Sequence, residues 1–191
     1  MGKSNSFKEN IQPTLVLVLI CLVITFLLAY TNSITAPIIE ENTIRAANET
    51  RTLLLPDADT FTEYDGDLVV LDEGKIFVED CYVADNGTGM VITVKSKSFG
   101  GLLTEMIGID QNGAITGVKV TAHLDTKGLG TKAHDSGYLS QYMGVTELAG
   151  AANIKQDTAV DFVSGATISS NGVYQGVVAA LEQYKEVGGV N

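Results

Sequence analysis

The stretch Ser164-Gly165-Ala166-Thr167-Ile168-Ser169-Ser170 sets one hydroxyl nucleophile, Thr167, among residues too small to cover it. It stands just ahead of an amphipathic helical pattern in which Val173, Val177, Ala180, Leu181 and Tyr184 recur at helical spacing. Ser169, Ser170 or Asn171 can cap that helix, which places its start near Gly172, and Gly188-Gly189 ends it. A helix start carries unsatisfied N–H groups and a partial positive charge. A phosphoryl group esterified to Thr167 would therefore be stabilised there. No base adjoins Thr167, and nothing around it reads as a Ser-His-Asp arrangement. If Thr167 reacts, an outside enzyme must drive the reaction. Taken alone, four small residues before a helix usually mean only a turn and a cap.

Two further segments have chemical potential. His123-Leu124-Asp125-Thr126-Lys127-Gly128-Leu129-Gly130 carries two glycines around Leu129, which would let backbone N–H groups approach a ligand closely. Lys119, Lys127 and Lys132 concentrate cations in and around it, although solvated lysines on a plain glycine loop fit the same pattern. Ser98-Phe99-Gly100-Gly101 places a flat ring beside glycines, suited to stacking on a planar ligand or to packing in the core. His134 has no metal-spaced partner. The two cysteines, Cys21 and Cys81, fall in an apolar span and in the following domain. They are expected not to pair, with Cys81 a buried structural thiol, and they are too few to hold an iron–sulfur cluster. Redox chemistry in this chain would need an organic cofactor.

These residues need elements to position them. From Asn10 to Ile39 no residue is charged, and Thr14 to Tyr30 is almost purely aliphatic. That length suits a retained transmembrane anchor better than a cleaved signal peptide, and Ile20 before Cys21 disfavours a lipoprotein signal. Lys3 and Lys8 on one flank, against Glu40 and Glu41 on the other, put the N-terminus in the cytoplasm. The expected organisation is a cytoplasmic tail over 1–10, an anchor over 11–34, an amphipathic stalk helix over 35–56 stopped by Pro56, and an extracytoplasmic domain over 57–191. Without Lys3, Lys8 and Glu9, the 12 basic and 23 acidic residues become 10 and 22, a net charge of −12. Such acidity disfavours nucleic acid as a partner.

Within the domain, strands are expected over 67–71, 75–78, 81–84, 90–95, 102–109 and 114–121. The last two would be joined by a tight Asn112-Gly113 hairpin turn, and a short helix is expected over 136–148. The fold class is α+β: an antiparallel sheet with packed helices, preceded by one transmembrane helix.

The order of anchor, stalk, Ser98-Phe99-Gly100-Gly101, hairpin, His123–Gly130 loop and Asp161-Phe162-Val163-Ser164-Gly165-Ala166-Thr167 resembles the FMN-binding domain family, and within it the G subunits of Rnf electron-transport complexes. The resemblance covers nearly the whole chain. It implies FMN held covalently through a phosphoester on Thr167, installed from FAD by a separate flavin transferase. Asp161, Ser164, Gly165 and Ala166 would form the recognised context, and Thr126, Gly128, Leu129 and Gly130 would contact the flavin. It also implies that other subunits of a membrane electron-transport complex are partners. The corresponding glycine loop of the family usually reads His-x-Glu-Thr-Pro-Gly-Leu-Gly; here Asp125 and Lys127 replace Glu and Pro. The function so implied is that of a redox subunit in a ferredoxin:NAD⁺ oxidoreductase coupled to Na⁺ or H⁺ translocation, with no independent catalytic site. The alternatives are a free-standing flavinylated electron shuttle and a non-redox anchored ectodomain for sensing or adhesion.

Overall fold

The computed structural model describes residues 4–189, with residues 4–10 described in backbone only. The tail expected over 1–10, with the charges of Lys3, Lys8 and Glu9 that set its orientation, lies outside the described side chains. Helix α1 spans Ser4–Leu54 and runs through Pro13 and Pro37. The chain forms two compact units, Met1–Ala47 and Asn48–Asn191.

In the first unit every side chain from 11 to 46 is exposed, including the aliphatic run from Leu15 to Leu28. A helix apolar on all sides is stable only where lipid or protein covers it. Among the described residues this is the one helix long and apolar enough to cross a membrane.

The second unit is built on a six-stranded antiparallel sheet of β1 (Phe61–Glu63), β2 (Val70–Asp72), β3 (Ile76–Ala84), β4 (Gly89–Lys97), β5 (Leu102–Asp110) and β6 (Ile115–Ala122). The order is β1-β3-β4-β5-β6, and β2 pairs with the opposite end of β3 from β1. The two strands expected at 75–78 and 81–84 are one. Glu79-Asp80 interrupts the apolar run, but the ladder absorbs the break as a register shift between Val78 and Asp80. Residues 67–69, expected as strand, precede β2, and the Gln183 side chain binds the Val69 N–H and the Asp67 carbonyl.

The β5–β6 turn also departs from expectation. A two-residue turn of the Asn-Gly type needs positive φ at both residues, but only Gly113 has it, at +80°. Gly113 N–H donates to the Asp110 carbonyl, and Asp110 Oδ1 accepts from Asn112 N and Ala114 N. The Asp side chain thus organises a longer loop. The helix expected over 136–148 shrinks to α2 (Ser136–Leu139) and one 3₁₀ turn, Ser140–Tyr142.

Helix α3 (Thr167–Glu186) covers one sheet face. Val173, Val177 and Ala180 meet Ile92, Leu103 and Ile107 in the main core. Gly172 makes the close approach possible, since a Cβ there would lie 2.9 Å from the Lys97 carbonyl oxygen. The helix ends in a Schellman motif: Gly189 N–H reaches the Tyr184 carbonyl and Gly188 N–H that of Lys185. The opposite face packs Leu54 and Leu55 against Ala84, Val91 and Met106. There Thr116 Oγ1 donates to the Leu54 carbonyl at 2.5 Å, and the Arg51 guanidinium lies 3.5 Å from the Tyr82 ring centre. Residues 50–55 are therefore part of the folded unit. Cys81 is fully buried and burial pushes its thiol up to about 12, as an inert structural cysteine requires.

Beneath α3 the Glu105 side chain is wholly buried, within contact distance of Gly176, with Oε2 unpartnered. Burial raises its carboxyl well above the ordinary 4.5, outweighing a donor from Ser96. Above 4.5 the unfolded chain releases a proton that the folded chain keeps, so this group costs stability as pH rises. Glu105→Gln should therefore raise the melting temperature at pH ~8 and change it little at pH ~4, measured by circular dichroism.

Candidate functional site

Three segments converge at one end of α3. The loop after β4 contributes Phe99, the loop after β6 contributes Thr126, Leu129 and Gly130, and the α3 entry contributes Gly165, Ala166, Thr167, Ile168 and Ser169. Together they line a cleft of about 290 Å³, close to the lower end of the range for small-molecule sites. Its rim is apolar and wet: Phe99 is 69% exposed, Leu129 55% and Ile168 56%. Exposed aromatic and aliphatic side chains around a cleft are the surface a planar ligand would cover.

Asp125 ties these segments together, with its side chain fully out of solvent. It accepts hydrogen bonds from Ser98 Oγ, from Gly100 N at 2.6 Å and from Ser169. His134 Nε2 stands 3.0 Å from Asp125 Oδ2, near enough for an ion pair but out of line for a directed hydrogen bond. Burial by itself would raise the Asp125 carboxyl. The donors from Ser98, Gly100 and Ser169, with the nearby His134, outweigh it and hold the group below its ordinary value. Two glycines permit the convergence. A Cβ on Gly100 would strike the Leu124 carbonyl, and one on Gly130 would lie 2.7 Å from Ser169 Oγ and 2.8 Å from Asp125 Cβ.

The segment leading into α3 is equally defined. Ala166 N–H donates to the Val163 carbonyl at 2.9 Å, with Gly165 at φ +83°, so 163–166 is a turn that requires glycine at its third position. Val163 N–H then donates to Ser170 Oγ at 3.0 Å. Upstream, Ile154 N donates to Asn171 Oδ1, Tyr174 Oη donates to Asp157, and Gln175 Nε2 donates to the Ala151 carbonyl. The polar face of α3 thus fixes the chain that leads into Thr167.

The helix begins at Thr167 itself, five residues before the expected Gly172. Ala166 is the N-cap, with no side-chain capping bond. Ser169, Ser170 and Asn171, expected as caps, lie inside the helix, where they bind Asp125, Val163 and Ile154. Thr167 is half-buried at the first helical position, beside N–H groups that no side chain satisfies.

Of the residues read from the sequence, Gly165, Ala166, Thr167, Thr126, Leu129 and Gly130 line the cleft, whereas Ser164 and Gly128 adjoin it without lining it. Asp161 stands apart on the surface, its backbone held by Gln141 and Tyr138. Lys97, Lys127 and Lys132 are the exposed lysines within two residues of the lining, and none makes an ion pair among the described residues. Lys119 instead reaches Thr50 on the other side of β6. Sequence reasoning missed Asp125 as an organising group, along with Ser169 and His134. The one sequence signal was an acidic residue between His123 and two glycines.

A family model described as the FMN-binding domain matches residues 99–182. Another, described as the RnfG N-terminal region, matches residues 7–52. The chain is 26% identical over 191 residues to the G subunit of the proton-translocating ferredoxin:NAD(+) oxidoreductase complex of Clostridium ljungdahlii, with 96% of each covered. It is 29% identical over 188 residues to the G subunit of the Na(+)-translocating ferredoxin:NAD(+) oxidoreductase complex of Acetobacterium woodii, with 91% of this chain and 90% of that one covered. Among solved structures, that of Shewanella oneidensis NqrC is similar over 56% of this chain and 57% of that one, at 22% identity and a TM-score of 0.43.

Proposed function

We propose that this chain, whose residues 99–182 match the FMN-binding domain and whose residues 7–52 match the RnfG N-terminal region, is the membrane-anchored flavoprotein subunit of an Rnf-type ferredoxin:NAD⁺ oxidoreductase coupled to Na⁺ or H⁺ translocation. In this reading FMN is joined through its phosphate to Thr167. The tail over 1–10 is cytoplasmic, 11–34 spans the membrane, 35–56 forms a stalk whose residues 50–55 pack into the folded unit, and the domain over 57–191 lies outside the cytoplasm. Its partners are the other subunits of the complex and, during maturation, a flavin transferase that uses FAD.

The observation that carries the reading is the place of Thr167: a hydroxyl on the first residue of an uncapped helix, on the wall of an apolar cleft. The residues present fit FMN. The uncapped start of α3 suits a phosphate, the open backbone at Gly165 leaves room beside it, and Phe99, Leu129 and Ile168 offer apolar surface to a flat ring. FMN supplies reversible electron acceptance, and attachment through the phosphate leaves its ring free for that role.

The chain itself does four things. The Thr167 hydroxyl would be the acceptor that holds the FMN phosphate as an ester, with FAD as donor and AMP and the hydroxyl proton as the groups released. The α3 N–H groups and the lysines around the cleft balance phosphate charge and added electron charge. Asp125 holds the Phe99 and Gly130 loops against α3. Asp161 remains exposed for recognition by the transferase. Catalysis of attachment belongs to that enzyme, since no base adjoins Thr167.

Membranes lacking this protein should lose ferredoxin-dependent NAD⁺ reduction. The wild-type chain should restore it, and Thr167→Ala should not. Full restoration by Thr167→Ala would contradict the assignment.

A further inference from the structure

His134 stands between Asp125, which braces the cleft loops, and a second, solvent-open hollow. That groove, of about 450 Å³, is lined by His134, Leu53, Val118, Lys119, Leu139 and Met143, among others. The His134 side chain is only 6% exposed, and neither ring nitrogen has a hydrogen-bond partner among the described residues. Its Nε2 faces the Asp125 carboxylate at 3.0 Å. Asp125 in turn holds Ser98 and Gly100, on either side of Phe99, and Ser169 on the cleft wall.

We propose that His134 is a redox-linked proton-binding residue, which takes one proton from solvent when an electron reaches the cleft and returns it when the electron leaves. The proposal rests on the reading of the cleft as the FMN site. The electron comes from a reduced iron–sulfur or flavin centre elsewhere in the complex, leaves to an oxidised one, and makes no bond to this chain. The proton enters from the groove and converts the neutral imidazole to an imidazolium facing Asp125.

The reasoning is electrostatic. An added electron places negative charge next to a site that already buries the Asp125 carboxylate, and a proton nearby offsets the repulsion. The lysines are cations already, so they gain no charge when the electron arrives. His134 starts neutral: burial lowers its proton affinity first and the neighbouring His123 second, against the pull of Asp125. The groups facing it are His123, with ring centres 4.5 Å apart, Asp125, and Lys119 across the groove. The α3 side adds no charge, its first charged residue being Glu182.

The chain has two histidines, so imidazole-labelled, flavin-loaded full-length protein has one imidazole to follow by NMR besides His123, with His123→Gln as the assignment control. Titrations of the oxidised and dithionite-reduced protein should show roughly a tenfold or greater rise in the proton affinity of His134 on reduction. The pH dependence of the flavin potential should be shallower in His134→Asn than in wild type. A flavin-loaded protein whose His134 titrates alike in both redox states would overturn this proposal alone. A chain that never acquires FMN would overturn the functional reading beneath it, and this proposal with it.

Discussion

Thr167→Ala will remove all covalently held flavin while leaving the domain folded. The Thr167 hydroxyl makes no hydrogen bond among the described residues, and the side chain is only half-buried. Alanine is also the better helix former, by a few tenths of a kcal/mol. Stability should therefore change by less than about 0.5 kcal/mol, so the lost flavin cannot be attributed to unfolding. The readout is in-gel fluorescence that survives denaturation, after co-expression with a flavin transferase, beside a thermal melt. Residual covalent fluorescence at wild-type level would place the linkage elsewhere. A colourless wild type under the same conditions would instead favour the non-redox ectodomain.

The second large effect belongs to Asp125. Asp125→Ala leaves the Ser98 hydroxyl, the Gly100 N–H and the Ser169 hydroxyl without their shared acceptor in a buried position. Bonds to a charged group are worth about 1.5–3 kcal/mol each and do not add simply, so a loss of roughly 3 kcal/mol is expected at neutral pH. The sign of the pH dependence follows from the lowered proton affinity of Asp125. Its contribution is present above the ordinary aspartate value of 3.8 and is lost as pH falls through the still lower value of the folded state. The gap in melting temperature between wild type and Asp125→Ala should therefore be widest near neutral pH and narrow in acid. Freed from Asp125, the Phe99 loop should also change the visible spectrum of any attached flavin. An unaltered spectrum and melt would show that Asp125 does not organise the cleft.

What could be read from the sequence was what short-range pattern encodes. The aliphatic run of α1, the short β-rich runs of β4 and β5, and the apolar stripe and glycine stop of α3 each lie within one segment. The turn at 163–166 was visible for the same reason, since Gly165 supplies a backbone conformation that its neighbours cannot. The Asp125 hub was not, because its partners Ser98, Gly100, His134 and Ser169 meet only after the sheet forms. The start of α3 was misplaced for a related reason. Ser169 and Ser170 have the side chains of N-caps, and only the tertiary positions of Asp125 and Val163 show that they bind outward from within the helix. Glu79-Asp80 looked like a strand break because a bulge costs a ladder little and leaves no local mark. Phe99, readable either as core or as a stacking surface, proves exposed because Gly100 and Ser98 turn the loop down onto Asp125.

The central claim is that this chain carries FMN as an ester of Thr167, and mass spectrometry addresses it most directly. Full-length protein from membranes, co-expressed with a flavin transferase, should weigh more than the bare chain by one FMN minus one water. The peptide containing Ser164 to Ser170 should carry that addition on Thr167. A chain of unmodified mass, or the addition on any other residue, would contradict the account.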